Sequence, residues 1–236
     1  MEHQISENPF QTVPQKKLDN AIADVMRVHS ENGVLTRAGG KLVEILHRYA
    51  SANIPVDYWF LEMDKFQGDK NLVKRYDEII NDIDKAYKDG LCLCFAGSHG
   101  VGKTFTCACI LKRVVETYKY NALYVNLTDI VNIMASPRAD EKYSARRHLL
   151  TADFLVIDEF DQRFMGTDNA AELYGRILEP IMRSRIQNRL PLIFCTNSTN
   201  VESSFSGPLR ASIESLMHRV KTVPILGGDF RARGDK

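Results

Sequence analysis

Along the first third of the chain, apolar residues recur three or four positions apart, the spacing that gives an α-helix one apolar face. Leu18, Ile22, Val25 and Met26 predict a helix over about 15–29. Leu42, Ile45, Leu46 and Tyr49 predict a second over 41–52, with Gly39–Gly40 separating the two. Residues 1–15 are largely polar, carry Pro9 and Pro14, and read as a loose lead-in. Ile54–Pro55 breaks the second helix, because the residue before a proline is pushed out of the helical region. The span 1–55 is therefore expected to be a small helical module. It is too short for a large core of its own and is expected to dock on a partner or on the rest of the chain. After VDYWFLEMDKF, the residues Val73, Tyr76, Ile79, Ile80 and Ile83 predict one helix over 71–88.

From Leu91 the pattern changes. Short apolar runs at 91–96, 122–126, 154–158, 192–196 and 222–226 alternate with helical stretches at 102–118, 128–135, 141–150, 170–188 and 209–219. Unbroken apolar runs of this length fit strands buried on both faces, and strand–helix alternation is the pattern of a parallel sheet flanked by helices. In 170–188, Leu173, Ile177, Ile181 and Ile186 are expected to share the buried face, with Pro180 as a kink. The chain thus divides into 1–55 and an α/β domain, 56–236.

Size and charge narrow the reading. With 236 residues, 44% of them hydrophobic, the chain can bury one α/β core and a small appendage. A formal net charge of +1 excludes a protein that coats nucleic acid by bulk electrostatics, so any such contact needs a local patch. No apolar run approaches the length of a membrane span and the start lacks the features of a secretion signal, so a cytoplasmic protein without membrane contact is expected. The five cysteines, Cys92, Cys94, Cys107, Cys109 and Cys195, are an odd number and read as buried free thiols rather than disulfides. Zinc needs four convergent ligands, whereas Cys107 and Cys109 point to different faces of a helix.

Gly97-Ser98-His99-Gly100-Val101-Gly102-Lys103-Thr104 matches G-x-x-x-x-G-K-[ST] at every fixed position, with a strand before it and a helix after it. Glycines let successive backbone N–H groups turn inward around phosphate oxygens, and the helix presents its positive end to the same charge. Lys103 supplies a cation for the β- and γ-phosphates of ATP, and the Thr104 hydroxyl a ligand for Mg²⁺. Phe105, the next residue, is counted with this nucleotide-binding set; His99 fills a variable position and is given no catalytic role. Phe154-Leu155-Val156-Ile157-Asp158-Glu159 places two carboxylates at the C-terminal end of a buried strand, where parallel sheets bind ligands. Asp158 is expected to hold Mg²⁺ and Glu159 to orient and polarise the attacking water; Asp161 is given no role. Asn197 ends the strand Leu192–Thr196 and is placed to sense the γ-phosphate, although an Asn after a strand is otherwise a turn former. Arg219 and Arg231 are the C-terminal arginines suited to bridging phosphate oxygens.

Together these segments resemble the DnaC/DnaI/IstB group of AAA+ ATPases, bacterial and phage replicative helicase loaders and helper ATPases of insertion sequences. The resemblance spans about 48–233: RYASANIPVDYWFLEMDKF, GSHGVGKT, FLVIDEF, RSRIQNRLPLIFCTNS, IESLMHRV and GGDFR. It implies a P-loop NTPase fold, an AAA+ core with a parallel five-stranded sheet and no C-terminal lid. By position it implies Asn197 as the sensor-1 residue, Arg219 as an arginine finger and Arg231 as the sensor-2 arginine. A finger implies a head-to-tail homo-oligomer, ring or spiral. The implied function is loading a hexameric replicative helicase, bound through 1–55, onto single-stranded DNA; the alternative is a transposition helper on duplex DNA. Some loaders carry a zinc-binding N-terminal domain, whereas residues 1–90 here contain no cysteine. Lys142, Arg146 and Arg147 are the candidate DNA contacts. A pure interaction protein, with nucleotide only stabilising its fold, would have no need of Glu159.

Overall fold

The computed structural model describes residues 8–160, 167–197 and 207–229. Its centre is a sheet of five parallel strands: β3 (Cys92–Gly97), β4 (Ala122–Asn126), β5 (Phe154–Phe160), β6 (Leu192–Thr196) and β7 (Lys221–Ile225), in the order β4-β5-β6-β3-β7. Successive side chains leave a strand on opposite faces, so each strand feeds two cores. Leu93, Phe95, Tyr124, Phe154, Val156 and Ile193 pack on one side under α5 (Lys103–Glu116). Cys94, Leu123, Val125, Leu155, Ile157 and Phe194 pack on the other, under α6 (Leu127–Ala135), α7 (Ala139–Thr151), α8 (Asp168–Gln187) and α9 (Gly207–Met217). This is the expected α/β fold. Among the described residues no helix is long and apolar enough to cross a membrane.

At the N-terminus, α1 (Gln15–His29) and α2 (Arg37–Ser51) are joined by a hairpin of two-residue strands, β1 (Ser30–Glu31) and β2 (Val34–Leu35). Its turn is Asn32-Gly33, both residues at positive φ, the pair that a two-residue hairpin favours. Gly39–Gly40 does not separate the helices as expected; both lie inside α2, which Thr36 caps by accepting the Gly39 N–H at 3.1 Å. Gly39 is small because α1 is close: a Cβ there would lie 2.7 Å from that of His29. Leu18, Ala21, Val25, Leu46 and Tyr49 join the same apolar core as Val114 and Val115 of α5, whereas Met26 and Leu42, expected on the buried faces, are exposed. Residues 8–14 are packed rather than loose, for Phe10 is buried and Thr12 bonds Asn53 through both its N–H and its hydroxyl.

Two further expectations change. The stretch read as one helix is α3 (Lys70–Ile80) and α4 (Ile83–Lys88), because the Asp82 carboxylate caps the Lys85 N–H and starts a new helix. In α8, Leu173 is exposed, and the buried face is Leu178, Ile181, Met182, Arg185 and Ile186. Arg185 is fully buried. Its guanidinium donates to the carbonyls of Leu149, Ala152 and Pro191 at 2.7–2.8 Å and of Asp153 at 3.3 Å. These oxygens lie at the end of α7, at the start of β5 and just before β6, so one side chain staples three elements. Burial pushes its pKa down to about 10, which leaves it charged at neutral pH.

Candidate nucleotide site

β3 ends at Gly97 and α5 begins at Lys103, with the loop between them at the C-terminal edge of the sheet. Gly100 and Gly102 have φ of 72° and 97°, a region that residues with a Cβ rarely adopt. Neighbouring side chains would have to shift as well: a Cβ on Gly102 would lie 2.5 Å from the Phe66 ring, and one on Gly100 would strike the Asp229 carboxylate. Val101 is buried and anchors the loop, while Ser98 and His99 are exposed. Lys103 is only 7% exposed. Its ammonium donates to the carbonyls of Gly97 and Ser98 at 2.8 and 2.7 Å and to Asn197 Oδ1 at 2.9 Å. The ends of β3 and β6 are thereby brought together around one cation.

The end of β5 is irregular. Ile157 pairs with Phe194 but Phe160 with Thr196, so the ladder slips between them, and Glu159 takes φ 56°. A non-glycine residue in that region stores about 1–3 kcal/mol of strain, held here by Thr196 Oγ1 donating to the Phe160 carbonyl at 2.8 Å. The slip leaves Glu159 exposed while Asp158 is buried. Each Asp158 oxygen accepts a hydrogen bond: Oδ1 from the Glu159 N–H and Oδ2 from the Tyr124 hydroxyl, both at 2.7 Å. Burial, then the Asp158 charge, push the Tyr124 phenol far above its ordinary pKa, so it stays a donor.

Lys103, Thr104, Asp158, Glu159 and Asn197 line one cavity of about 700 Å³. That set suits Mg²⁺: it offers hard oxygen donors and few of them, and Mg²⁺ binds through one or two carboxylates plus phosphates, keeping several waters. Among the described residues no group of three His, Cys, Asp or Glu could hold a more fully ligated metal.

The opposite wall comes from residues 58–67, to which the sequence reading gave no site role. Phe66 stacks on Phe105 at 5.3 Å and Tyr58 meets Phe105 edge-on at 6.1 Å, an aromatic surface suited to a base. Buried Lys112 of α5 fixes this strap by donating to the carbonyls of Tyr58 and Leu61 and to Glu62 Oε1. Cys107 and Cys195 touch behind the site, Sγ to Sγ 3.2 Å, and burial raises the Cys195 thiol pKa.

Arg219 is exposed and stands elsewhere, between α9 and the start of β7, beside Cys92 at the opposite end of β3, whose thiol it influences electrostatically. Arg231 and Asp161 lie outside the described residues. Arg146 and Arg147 are exposed on α7, and Lys142 is partly so.

The family model of the ATPase family associated with various cellular activities (AAA) matches residues 93–218. A comparison with curated protein sequences finds no match. Among solved structures, the chain is similar to DnaI, with 16% identity, a TM-score of 0.58, and coverage of 73% of this chain and 94% of that one. It is also similar to the DnaC helicase loader, with 17% identity, a TM-score of 0.56, and 72% and 99% coverage. The replication initiator DnaA bound to AMPPCP and single-stranded DNA gives 16%, 0.57, 75% and 53%. At these identities the likeness is one of fold.

Proposed function

The chain belongs to the AAA family of ATPases, and from that premise we propose that it is an ATP-dependent loader of a hexameric replicative helicase onto single-stranded DNA. The observation that carries the nucleotide chemistry is the convergence of Lys103, Asn197, Asp158 and Glu159 on one cavity. In this reading the loop N–H groups and Lys103 hold the phosphates, and the base lies against Phe66 and Phe105. Thr104 and Asp158 hold Mg²⁺, which when bound neutralises phosphate charge. Glu159, exposed where the ladder slips, orients the attacking water and accepts its proton. Asn197, bonded to the same lysine, would sense the γ-phosphate. Arg219 acts on the site of a neighbouring copy, so the working form is a head-to-tail oligomer.

The biological role is supported by two surfaces. Met26, Val28, Val34 and Leu42 leave apolar area on the N-terminal helical pair, the proposed helicase contact. Arg146 and Arg147 give α7 a basic face that a spiral would repeat along one strand. Phosphate contacts then add and the binding becomes steeply salt-dependent. The test is fluorescence anisotropy of labelled oligonucleotides with a parallel pull-down of a replicative helicase. Single-strand binding that needs ATP, falls with salt and falls again in Arg146→Ala with Arg147→Ala supports the loader. Binding to duplex alone, with no helicase captured, refutes it in favour of a transposition helper.

A further inference from the structure

Tyr124 fits no part of the sequence motifs, yet it makes the hydroxyl contact to Asp158. It is 6% exposed on the edge strand β4, two residues before Asn126, which pairs with Asp158. Residues offset in this diagonal way on neighbouring strands share a face, within reach of an aromatic side chain. Its ring packs in the core under α5, and its hydroxyl donates to Asp158 Oδ2. The backbone of Tyr124 is held as well, though among the described residues β4 has no strand beyond it. Its N–H donates to the Ala52 carbonyl at 2.9 Å and its C=O accepts from Asn53 Nδ2 at 3.0 Å. Asn53, buried at φ 55°, accepts in turn from Thr12. A continuous hydrogen-bonded path therefore runs from the N-terminal segment through Asn53 and Tyr124 to the carboxylate.

We propose that Tyr124 is a positioning residue for the Mg²⁺ carboxylate, fixing through its hydroxyl the rotation of the Asp158 carboxylate and so which of its remaining lone pairs are turned to the metal. This rests on the reading that Asp158 serves Mg²⁺. With Oδ1 taken by the Glu159 N–H, the phenol decides the rotation of the group about its last bond, and a hydrogen bond to an ionised acceptor is strong enough to do so. Losing such an outer partner of a metal ligand typically lowers metal affinity about 10–100-fold. Tyr124→Phe removes one oxygen and keeps the ring, so the core is retained.

The test measures affinity for a fluorescent ATP analogue in EDTA and in saturating Mg²⁺, for wild type, Tyr124→Phe and Asp158→Asn, with thermal unfolding alongside. We expect Mg²⁺ to strengthen wild-type binding, and Tyr124→Phe to lose about tenfold of that enhancement while binding the analogue normally in EDTA. Asp158→Asn should lose more. Tyr124→Phe with full enhancement, beside an Asp158→Asn protein that has lost it, overturns the proposal and leaves the metal reading standing. Full enhancement in Asp158→Asn overturns the metal reading and the proposal with it.

Discussion

Replacing Arg219 with Ala should abolish turnover without weakening nucleotide binding, and the reason is distance. β7 runs parallel to β3 with Lys221 opposite Leu93 and Ile225 opposite Gly97. Four strand steps at about 3.3 Å put the level of Lys221 about 13 Å below the phosphate loop, and Arg219 lies two residues further back. An extended arginine side chain does not span that gap. The proposed effect of Arg219 on hydrolysis therefore has to be exerted on the site of a neighbouring protomer rather than directly on its own. An arginine supplied in trans is worth about 10³–10⁵ in kcat, or about 4–7 kcal/mol of barrier. The assay is phosphate release per protomer, with nucleotide affinity measured separately. A 1:1 mixture of Arg219→Ala and Lys103→Ala proteins should regain activity, because some interfaces then join an intact loop to an intact arginine. With random head-to-tail pairing the ceiling is about a quarter of the wild-type rate. Wild-type turnover by Arg219→Ala alone would refute the assignment and make Arg219 an ordinary surface residue.

Two other substitutions separate chemistry from structure. Glu159→Gln should bind ATP as wild type does, since Lys103, Thr104 and Asp158 are untouched, but lose turnover by about 10²–10⁴, the usual worth of a positioned base; phosphate release at saturating ATP checks it. Arg185→Met should leave the carbonyls of Leu149 and Ala152 buried without their donor, while that of Pro191 keeps the Leu155 N–H at 3.2 Å. At about 1–3 kcal/mol each, set against a total stability of about 5–15 kcal/mol, the loss is a large share of the fold. Urea unfolding measures it, and an unchanged midpoint would contradict the stapling role.

How much of this the sequence disclosed follows from how local each feature is. The phosphate loop, the carboxylate pair and Asn197 were legible because each sits at a fixed offset from a buried apolar run. The five strands were legible because burial on both faces leaves unbroken runs such as Phe154–Ile157. What depends on partners far along the chain was not. Tyr124 and Asp158 are 34 residues apart, and in sequence Tyr124 is one more apolar residue of a strand. Residues 58–67 were given no site role, because what pins them to α5 is Lys112, some 50 positions on. Gly39 reads as a break, and only the approach of His29 explains it. Asn32-Gly33 did carry a local signal, a two-residue turn between polar and apolar neighbours, but strands of two residues leave too short a pattern to register.

Buried cations are where residue type misleads most, and here they show why the site and the proposed DNA face are mechanically one body. Lysine and arginine are seldom fully buried, yet Lys103, Lys112 and Arg185 all are buried. Arg185 bridges its segments through backbone carbonyls, Lys112 through two carbonyls and the Glu62 carboxylate, and Lys103 through two loop carbonyls and the Asn197 side chain. Lys103 joins the ends of β3 and β6, Lys112 joins the strap to α5, and Arg185 joins the end of α7 to the beginnings of β5 and β6. The negative end of the α7 dipole favours a cation at that last position. α7 carries Arg146 and Arg147 on its outer face, while β5 and β6 carry Asp158, Glu159 and Asn197 at their far ends. A strand is stiff along its length, so a helix clamped to the near ends of β5 and β6 sits in fixed relation to the groups at the far ends. Loosening Arg185 should therefore disturb hydrolysis and the proposed DNA binding together. Variants that leave the clamp intact, such as the pair at Arg146 and Arg147, should reduce the proposed DNA binding while sparing hydrolysis.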